Sequence, residues 1–328
     1  MEQNICLRVN NLQTSFYTDR GVIHSVRGVS FDVRKGEMLG IVGESGCGKS
    51  VTAFSILNQV KHPGKIDSGE VIFHGKDLLK LSESEMRKLR GSSMSMIFQE
   101  PLTALNPSFS IGWQIAEAYR IQGEKDKAVI RERTIDILRR VKLPEPELRM
   151  KEYPYQFSGG MRQRALIALA LACKPELVFA DEPTTALDVT VQAEILDLIE
   201  SLQAEMNMSV VLISHNLNLI GERCGRVLVF YAGKIIEEAE TAELFKHPAH
   251  PYTVGLFGSL LSIHQDGKAD PKTMPGEVPN MLDDIRSCSF APRCPYAETR
   301  CFEREPELVP VGPGHYYSCH RPLKGGAK

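Results

Sequence analysis

The chain has 328 residues, of which 42% are hydrophobic and 24% are charged, so a fully disordered chain is excluded. Lys and Arg number 39 against 41 Asp and Glu, a formal net charge of −2. Because nucleic-acid binders usually show a basic excess, this balance predicts no nucleic-acid partner. The N-terminus has no secretory signal pattern. Every apolar run is much shorter than the about 20 residues that a membrane-spanning helix needs. We expect a cytosolic chain with its eight cysteines reduced or metal-bound.

The first 240 residues alternate short apolar runs with segments of helical period, which predicts an α/β fold with buried strands. These runs are 38–42, 95–98, 177–180 and 209–213. Residues 22–33 and 69–74 alternate apolar and polar side chains, as half-exposed antiparallel strands do. Residues 100–157 show helical spacing and predict an inserted helical subdomain. The pattern indicates a mixed core sheet with a small antiparallel β subdomain.

A glycine-rich loop follows the first buried run and precedes a helical segment, which is the setting of a phosphate cradle (P-loop). Its glycines let the backbone N–H groups turn towards phosphates. Lys49 would reach the β- and γ-phosphates of a nucleotide, and Ser50 would bind Mg²⁺. The candidate nucleotide contacts here are Gly43, Glu44, Ser45, Gly46, Cys47, Gly48, Lys49, Ser50 and Val51.

The run at 177–180 leads directly into two acidic residues, Asp181 and Glu182. Carboxylates at the C-terminal edge of a parallel strand face the ligand crevice of such sheets. We expect Asp181 to hold Mg²⁺ and Glu182 to act as general base on the attacking water.

Just upstream, Ser158, Gly159 and Gly160 precede the helical segment ALIALALAC. Ser158 is a good N-cap, and the two glycines expose N–H groups, so this is a second anion-binding helix end. With this motif between the P-loop and the acidic strand end, residues 5–260 resemble the ATP-binding cassette (ABC) ATPases, whose signature usually reads LSGGQ. Phe157 and Met161 replace the usual first and last residues of that signature.

The resemblance implies further site residues. Gln99 matches the Q-loop, which implies a catalytic and Mg²⁺-binding role. Asp188 is the last residue of the D-loop TALD, which contacts the nucleotide in this family. His215 matches the switch histidine. Phe16 is at the place of the aromatic residue that stacks on adenine, with Tyr17 as its rival. In this family two cassettes pack head to tail, so that the P-loop of one and the signature of the other close on one ATP.

The last part of the chain has a different composition. A segment rich in Pro, Gly and Asp after Leu261 predicts a linker into a cysteine-rich extension, so we expect domains at 1–260 and 261–328. Four thiolates suit a tetrahedral zinc or a [4Fe–4S] cluster, and free thiols in a small lobe are the alternative. The wide spacings favour iron–sulfur, and His315 and His320 are reserve ligands for zinc. The cysteines are Cys288, Cys294, Cys301 and Cys319.

The extension from Lys246 to Thr253, followed by a helix and the cysteine tail, resembles the peptide and nickel importers of the ABC family, which also supports the iron–sulfur choice. The resemblance implies an ATPase subunit at the cytoplasmic face of the membrane that energises import of dipeptides or oligopeptides. Its implied partners are a related but distinct second ATPase subunit, two transmembrane permease subunits and an extracellular substrate-binding protein. The alternatives are import of nickel or another small solute, iron–sulfur assembly, and a role on nucleic acid or ribosomes.

Overall fold

The strands and helices alternate along the chain as the apolar pattern predicts. The computed structural model describes residues 4–185, 187–264, 274, 276–279, 281–282 and 285–323. Its strands are β1 (Ile5–Thr18), β2 (Gly21–Arg34), β3 (Met38–Val42), β4 (Gly64–Phe73), β5 (Lys76–Asp77), β6 (Met94–Ile97), β7 (Leu177–Asp181), β8 (Ser209–Ser214), β9 (Arg226–Tyr231), β10 (Lys234–Glu240), β11 (Val309–Gly312) and β12 (His315–Tyr317).

The helices include long amphipathic segments and several single turns. They are α1 (Lys49–Ile56), α2 (Glu83–Leu89), α3 (Pro101–Ala104), α4 (Ile111–Ile121), α5 (Lys127–Arg140), α6 (Pro146–Arg149), α7 (Gly159–Leu171), α8 (Val189–Met206), α9 (Leu217–Arg223), α10 (Thr241–Lys246), α11 (Pro251–His264) and α12 (Thr299–Glu303). Within the described ranges, none of these helices has the length and apolar character needed to span a membrane.

The described residues form two compact units. The helical unit comprises the N-terminal residues up to Cys6, 34–37 and 80–212. In it, strands lie in the order β8-β7-β6, with β6 and β7 parallel. Helix α7 packs on α4, α5 and β6. The apolar stripe of α5, which includes Ile130 and Leu138, is buried, so the helical period in the sequence marks a packed face.

The P-loop unit comprises residues 7–33, 38–79 and the described part of the chain from 213 onward. Its strands lie in the order β11-β12-β10-β9-β3, with β3 and β9 parallel and the others antiparallel. A second sheet has the order β2-β1-β4-β5, and β1 pairs with β4 in antiparallel register from Leu7↔Phe73 to Phe16↔Gly64. This confirms the predicted antiparallel subdomain and the mixture of parallel and antiparallel pairing.

The C-terminal extension contributes α12, β11 and β12, and β12 pairs with β10 at Glu237↔Tyr317. We call its residues 285–323 the C-terminal lobe. Arg27 and Lys234 both form ion pairs with Glu305 of this lobe, so the lobe is docked within the P-loop unit. The linker predicted after Leu261 lies mostly outside the described residues.

Candidate active site

The P-loop connects β3 to α1, as predicted. Gly48 caps α1 with a left-handed φ of 99°. A Cβ at Gly48 would lie 2.2 Å from the carbonyl oxygen of Ser25, and one at Gly43 would lie 2.3 Å from that of Phe230. Only glycine fits these two positions, so the backbone can keep the tight turn that a phosphate needs.

Lys49 folds back over the loop. Its Nζ donates to the carbonyl oxygens of Gly43 and Glu44, each at 2.8 Å, and the residue is buried. An ammonium group and the N-terminus of α1 therefore share one concave backbone turn, which suits the phosphates of a nucleotide. Cys47 is fully buried beside Lys49, and burial raises the pKa of its thiol.

The two aromatic candidates for adenine differ in their surroundings. Phe16 is half-buried at the end of the β1–β4 pairing, and a Cβ on Gly64 would lie 2.7 Å from its ring. Tyr17 is half-exposed and donates its hydroxyl hydrogen to Asp67 at 2.8 Å. Phe16 thus packs against Gly64 of β4, whereas Tyr17 has a polar partner.

In the helical unit, β7 ends at Asp181, and Glu182 follows directly. Asp181 is buried, whereas Glu182 is half-buried and has a left-handed φ of 45°. The carboxylate of Glu182 accepts hydrogen bonds at Oε2 from Gln99 Nε2 at 3.1 Å and from Thr185 Oγ1 at 2.8 Å. The structure therefore brings together two residues that the sequence placed in separate motifs, and it orients the carboxylate of the candidate base.

The signature lies at the start of α7. Ser158 is exposed and its Oγ accepts from the Met161 N–H at 3.4 Å, as an N-cap does. A Cβ on Gly160 would lie 3.0 Å from Val191, so this helix end packs against the start of α8. Asp188 caps α8 by accepting from the Val191 N–H at 3.0 Å. The D-loop residue Ala186 is outside the described residues.

His215 is exposed in the P-loop unit, between the end of β8 and Asn216, which caps α9. This places the imidazole directly after the C-terminal end of a strand. Such a position fits a residue that acts on ligand at the edge of the sheet.

The four tail cysteines share the C-terminal lobe but do not form a metal site in this structure. Burial raises the pKa of Cys288 and Cys319 to about 11 and also raises that of Cys294. Among the described residues, which include all four cysteines, no group of three or more His, Cys, Asp or Glu residues could hold a metal ion. This geometry does not support the predicted [4Fe–4S] cluster or its zinc alternative.

The reserve zinc ligands are engaged elsewhere. His315 is buried and its Nε2 lies 2.8 Å from Oε1 of Glu237, a carboxylate with no exposed surface. Nε2 of His320 lies 3.0 Å from the carbonyl oxygen of Arg304. A buried carboxylate requires hydrogen-bonding partners, and His315 is one of them beside the N–H groups of Ala249 and His250.

Sequence reasoning missed the side chains that surround Glu44. Arg293 of the C-terminal lobe contacts both carboxylate oxygens of Glu44, and Tyr252 of α11 accepts a hydrogen bond from its N–H. No local pattern marks Arg293, which precedes a cysteine in a proline-rich segment.

The comparisons with known proteins agree with this architecture. Residues 26–185 match the ABC transporter family model, and residues 236–301 match the oligopeptide/dipeptide transporter C-terminal region. The cassette MJ0796, a bacterial ABC transporter cassette solved as a dimer, aligns with 26% identity and a TM-score of 0.65 over 72% of this chain and 98% of its own.

Curated relatives match over nearly the whole length. A probable peptide ABC transporter ATP-binding protein of Sinorhizobium fredii is 49% identical over 97% of this chain and 95% of its own. The dipeptide transport ATP-binding protein DppD of Escherichia coli is 43% identical over 97% of each chain, and the oligopeptide transport protein OppD of Salmonella typhimurium is 43% identical over 98% of this chain and 95% of its own. The chain therefore belongs to the ATP-binding proteins of the dipeptide and oligopeptide ABC transporters, a family of transport-coupled ATPases.

Proposed function

We propose that this chain hydrolyses ATP at the cytoplasmic face of the membrane to energise import of dipeptides or oligopeptides through a permease. The observation that carries the ATPase role is the carboxylate of Glu182, oriented by Gln99 and Thr185 directly after Asp181. The match of residues 236–301 to the oligopeptide/dipeptide transporter C-terminal region supports the peptide cargo.

The residues have distinct roles in this proposal. The P-loop from Gly43 to Val51 binds the phosphates, and Phe16 stacks on adenine. Ser50, Gln99 and Asp181 would hold Mg²⁺, which neutralises phosphate charge when bound. Glu182 accepts a proton from the attacking water, and His215 contacts the γ-phosphate side of the site.

The signature supports a shared site. The exposed N-cap Ser158 and the first-turn glycines of α7 present a helix end that suits a phosphate. We propose that Ser158, Gly159, Gly160 and Asp188 complete the ATP site of a second, distinct ATPase subunit, and that this subunit returns the same contacts. Two permease subunits and an extracellular substrate-binding protein complete the system.

An exposed aromatic pair on the helical unit supports a permease contact within 100–157. Phe109 and Trp113 stack with ring centroids 4.0 Å apart, and both remain exposed, as does Leu102 on α3. Exposed apolar side chains grouped on one surface mark interaction sites more often than isolated ones do. We propose that these three residues dock a permease loop.

We also propose that the chain divides into an ATPase domain at 1–260 and an extension at 261–328. In the presence of iron and sulfide, the four cysteines of the extension would bind a [4Fe–4S] cluster. The proposal rests on the cysteine spacing in the sequence and on the Cys288 N–H, which donates to the Cys301 carbonyl oxygen at 2.9 Å. Anaerobic purification with iron and sulfide analysis tests this. About four of each per chain, lost in Cys294→Ser, supports the cluster, and a metal-free protein refutes it.

The identity of the transported substrate is tested by measuring the uptake of labelled compounds in a strain that lacks this chain. Labelled dipeptide or oligopeptide uptake should be lost and should return with the wild-type chain. Loss of labelled nickel uptake with peptide uptake intact would refute the peptide assignment.

A further inference from the structure

Arg293 reaches from the C-terminal lobe to the P-loop. Its Nη1 lies 3.1 Å from Oε1 and 3.0 Å from Oε2 of Glu44, and its side chain is only 7% exposed. A guanidinium with so little access to water needs a charged partner, and the carboxylate of Glu44 supplies one.

The pocket around Arg293 is aromatic. Arg293 also donates to the hydroxyl of Tyr231 at 3.3 Å, and its guanidinium carbon lies 5.8 Å from the centre of that ring. Tyr231, Tyr252 and Phe290 pack on one another with ring centroids 4.7 to 5.5 Å apart. Tyr231, held by the other two rings, packs on the guanidinium and so helps to fix the side chain that contacts Glu44.

Glu44 is held at three points. Its carboxylate meets Arg293, its N–H donates to the hydroxyl of Tyr252 at 3.0 Å, and its carbonyl oxygen accepts from Lys49 Nζ at 2.8 Å. Lys49 is the ammonium that the P-loop offers to phosphate. The position of Glu44 therefore bears directly on the position of Lys49.

The charge of Glu44 has a second consequence. A carboxylate in the loop that cradles a triphosphate repels the nucleotide when the two charges lie within about 8 Å, the screening length at physiological salt. A guanidinium paired with that carboxylate cancels the repulsion. Arg293 therefore favours ATP both by neutralising Glu44 and by fixing the backbone that orients Lys49.

We infer that Arg293 is a positioning residue for ATP, through which the C-terminal lobe sets the affinity of the P-loop for the nucleotide. The inference rests on the proposed ATPase function. It assigns the lobe a role in the nucleotide site that does not depend on any metal, because the contact comes from Arg293 itself.

The test is titration calorimetry with MgATP on the full chain, carried out in the Glu182→Gln background so that ATP is not consumed. Arg293→Gln should weaken ATP binding roughly tenfold, equivalent to about 1.4 kcal/mol. Adding Glu44→Gln to Arg293→Gln should recover part of the lost affinity, because it removes the unpaired charge although the backbone remains without its anchor. Loss of packing alone would not be rescued in this way.

Glu305→Gln is the matched control, because Glu305 pairs with Arg27 and Lys234 and so docks the same lobe without touching Glu44. It should lower the melting temperature of the chain but leave ATP affinity within about threefold of the parent. In the assembled complex with Glu182 intact, Arg293→Gln should raise KM for ATP while kcat changes less than about twofold, since the base is untouched.

Three results would overturn the inference: unchanged affinity in Arg293→Gln, no rescue by Glu44→Gln, or an equal loss in Glu305→Gln. If Arg293→Gln does not fold, Arg293→Met decides, because methionine is apolar and suits the aromatic surroundings but cannot neutralise Glu44. It should weaken ATP binding by a similar factor, and unchanged affinity in that variant contradicts the inference. A parent chain that binds no MgATP would instead refute the proposed function.

Discussion

Gln99 donates a hydrogen bond from Nε2 to Oε2 of Glu182 over 3.1 Å. Gln99 follows β6 and Glu182 follows β7, and these two strands are parallel neighbours. The contact therefore links the end of one strand, next to the candidate permease surface, to the candidate base at the end of the next. A movement of the Gln99 segment would change the orientation of the Glu182 carboxylate.

The first prediction concerns this contact. Gln99→Ala should lower kcat of the assembled complex about tenfold, because a hydrogen bond to a charged group typically contributes about 1.5–3 kcal/mol. In a Glu182→Gln background the same change should alter the residual rate less than about twofold, since the two residues act together. Steady-state ATPase assays of the four variants measure this coupling, and additive losses would contradict it.

The P-loop could be predicted from sequence in some detail. The buried run at β3, the glycine loop and helix α1 are consecutive in the chain, and each has its own local signal. The contact of Glu44 with Arg293 joins residues 249 positions apart. An arginine in a proline-rich tail is normally exposed to solvent, so the sequence does not predict that Arg293 is buried. Its burial results from the packing of Tyr231 and Phe290.

The tail shows a different limit. Its spacing of cysteines is a sequence pattern, but metal binding depends on where the thiols point. His315, a candidate ligand by type, instead contacts the buried Glu237. Residue type thus identified candidates, whereas the surrounding packing determined their partners.

The second prediction concerns the shared site. The isolated chain should be a weak ATPase, because its exposed Ser158 helix end completes a partner's site. Its rate should rise when the partner ATPase and the permease are added. Ser158→Ala should reduce hydrolysis in the complex but leave ATP binding to the isolated chain within about twofold, since Ser158 is not part of this chain's own cradle. An isolated chain at low concentration that matches the rate of the complex would refute the shared site.

The third prediction concerns the stacked pair Phe109 and Trp113. Trp113→Glu should uncouple transport, so that peptide uptake falls by tenfold or so while ATP hydrolysis persists, because a charge opposes burial at an apolar contact. Ile121→Glu is the matched control: this side chain is 64% exposed at the other end of α4. Reconstituted vesicles report both activities. Equal loss of uptake in the two variants would argue against a contact at Trp113.

The fourth prediction is a pH dependence from His250. This imidazole is buried, its Nδ1 accepts from the Tyr252 N–H at 3.0 Å, and burial lowers its pKa from 6.5 to about 4. Because the folded pKa is below the unfolded value, the stability that His250 contributes is complete above pH 6.5 and is lost as the pH falls towards 4. Between pH 7.5 and 5 this loss should reach about 2 kcal/mol.

Denaturant unfolding at the two pH values measures this loss. His250→Asn keeps an acceptor for the Tyr252 N–H but does not titrate, so its free energy of unfolding should change less between pH 7.5 and 5 than that of the wild type. An equal change in the two proteins would show that other groups cause the pH dependence.

The most direct test of the central claim is simultaneous measurement of ATP hydrolysis and labelled peptide import in vesicles that contain the permease, the partner ATPase and this chain, with or without Glu182→Gln. The variant should bind MgATP normally, whereas hydrolysis and import should both fall by about 10²-fold or more, the scale expected for loss of a positioned base. Glu194→Gln, an exposed change on α8, should leave both activities near wild type. Import and hydrolysis at wild-type rates in Glu182→Gln would contradict the account.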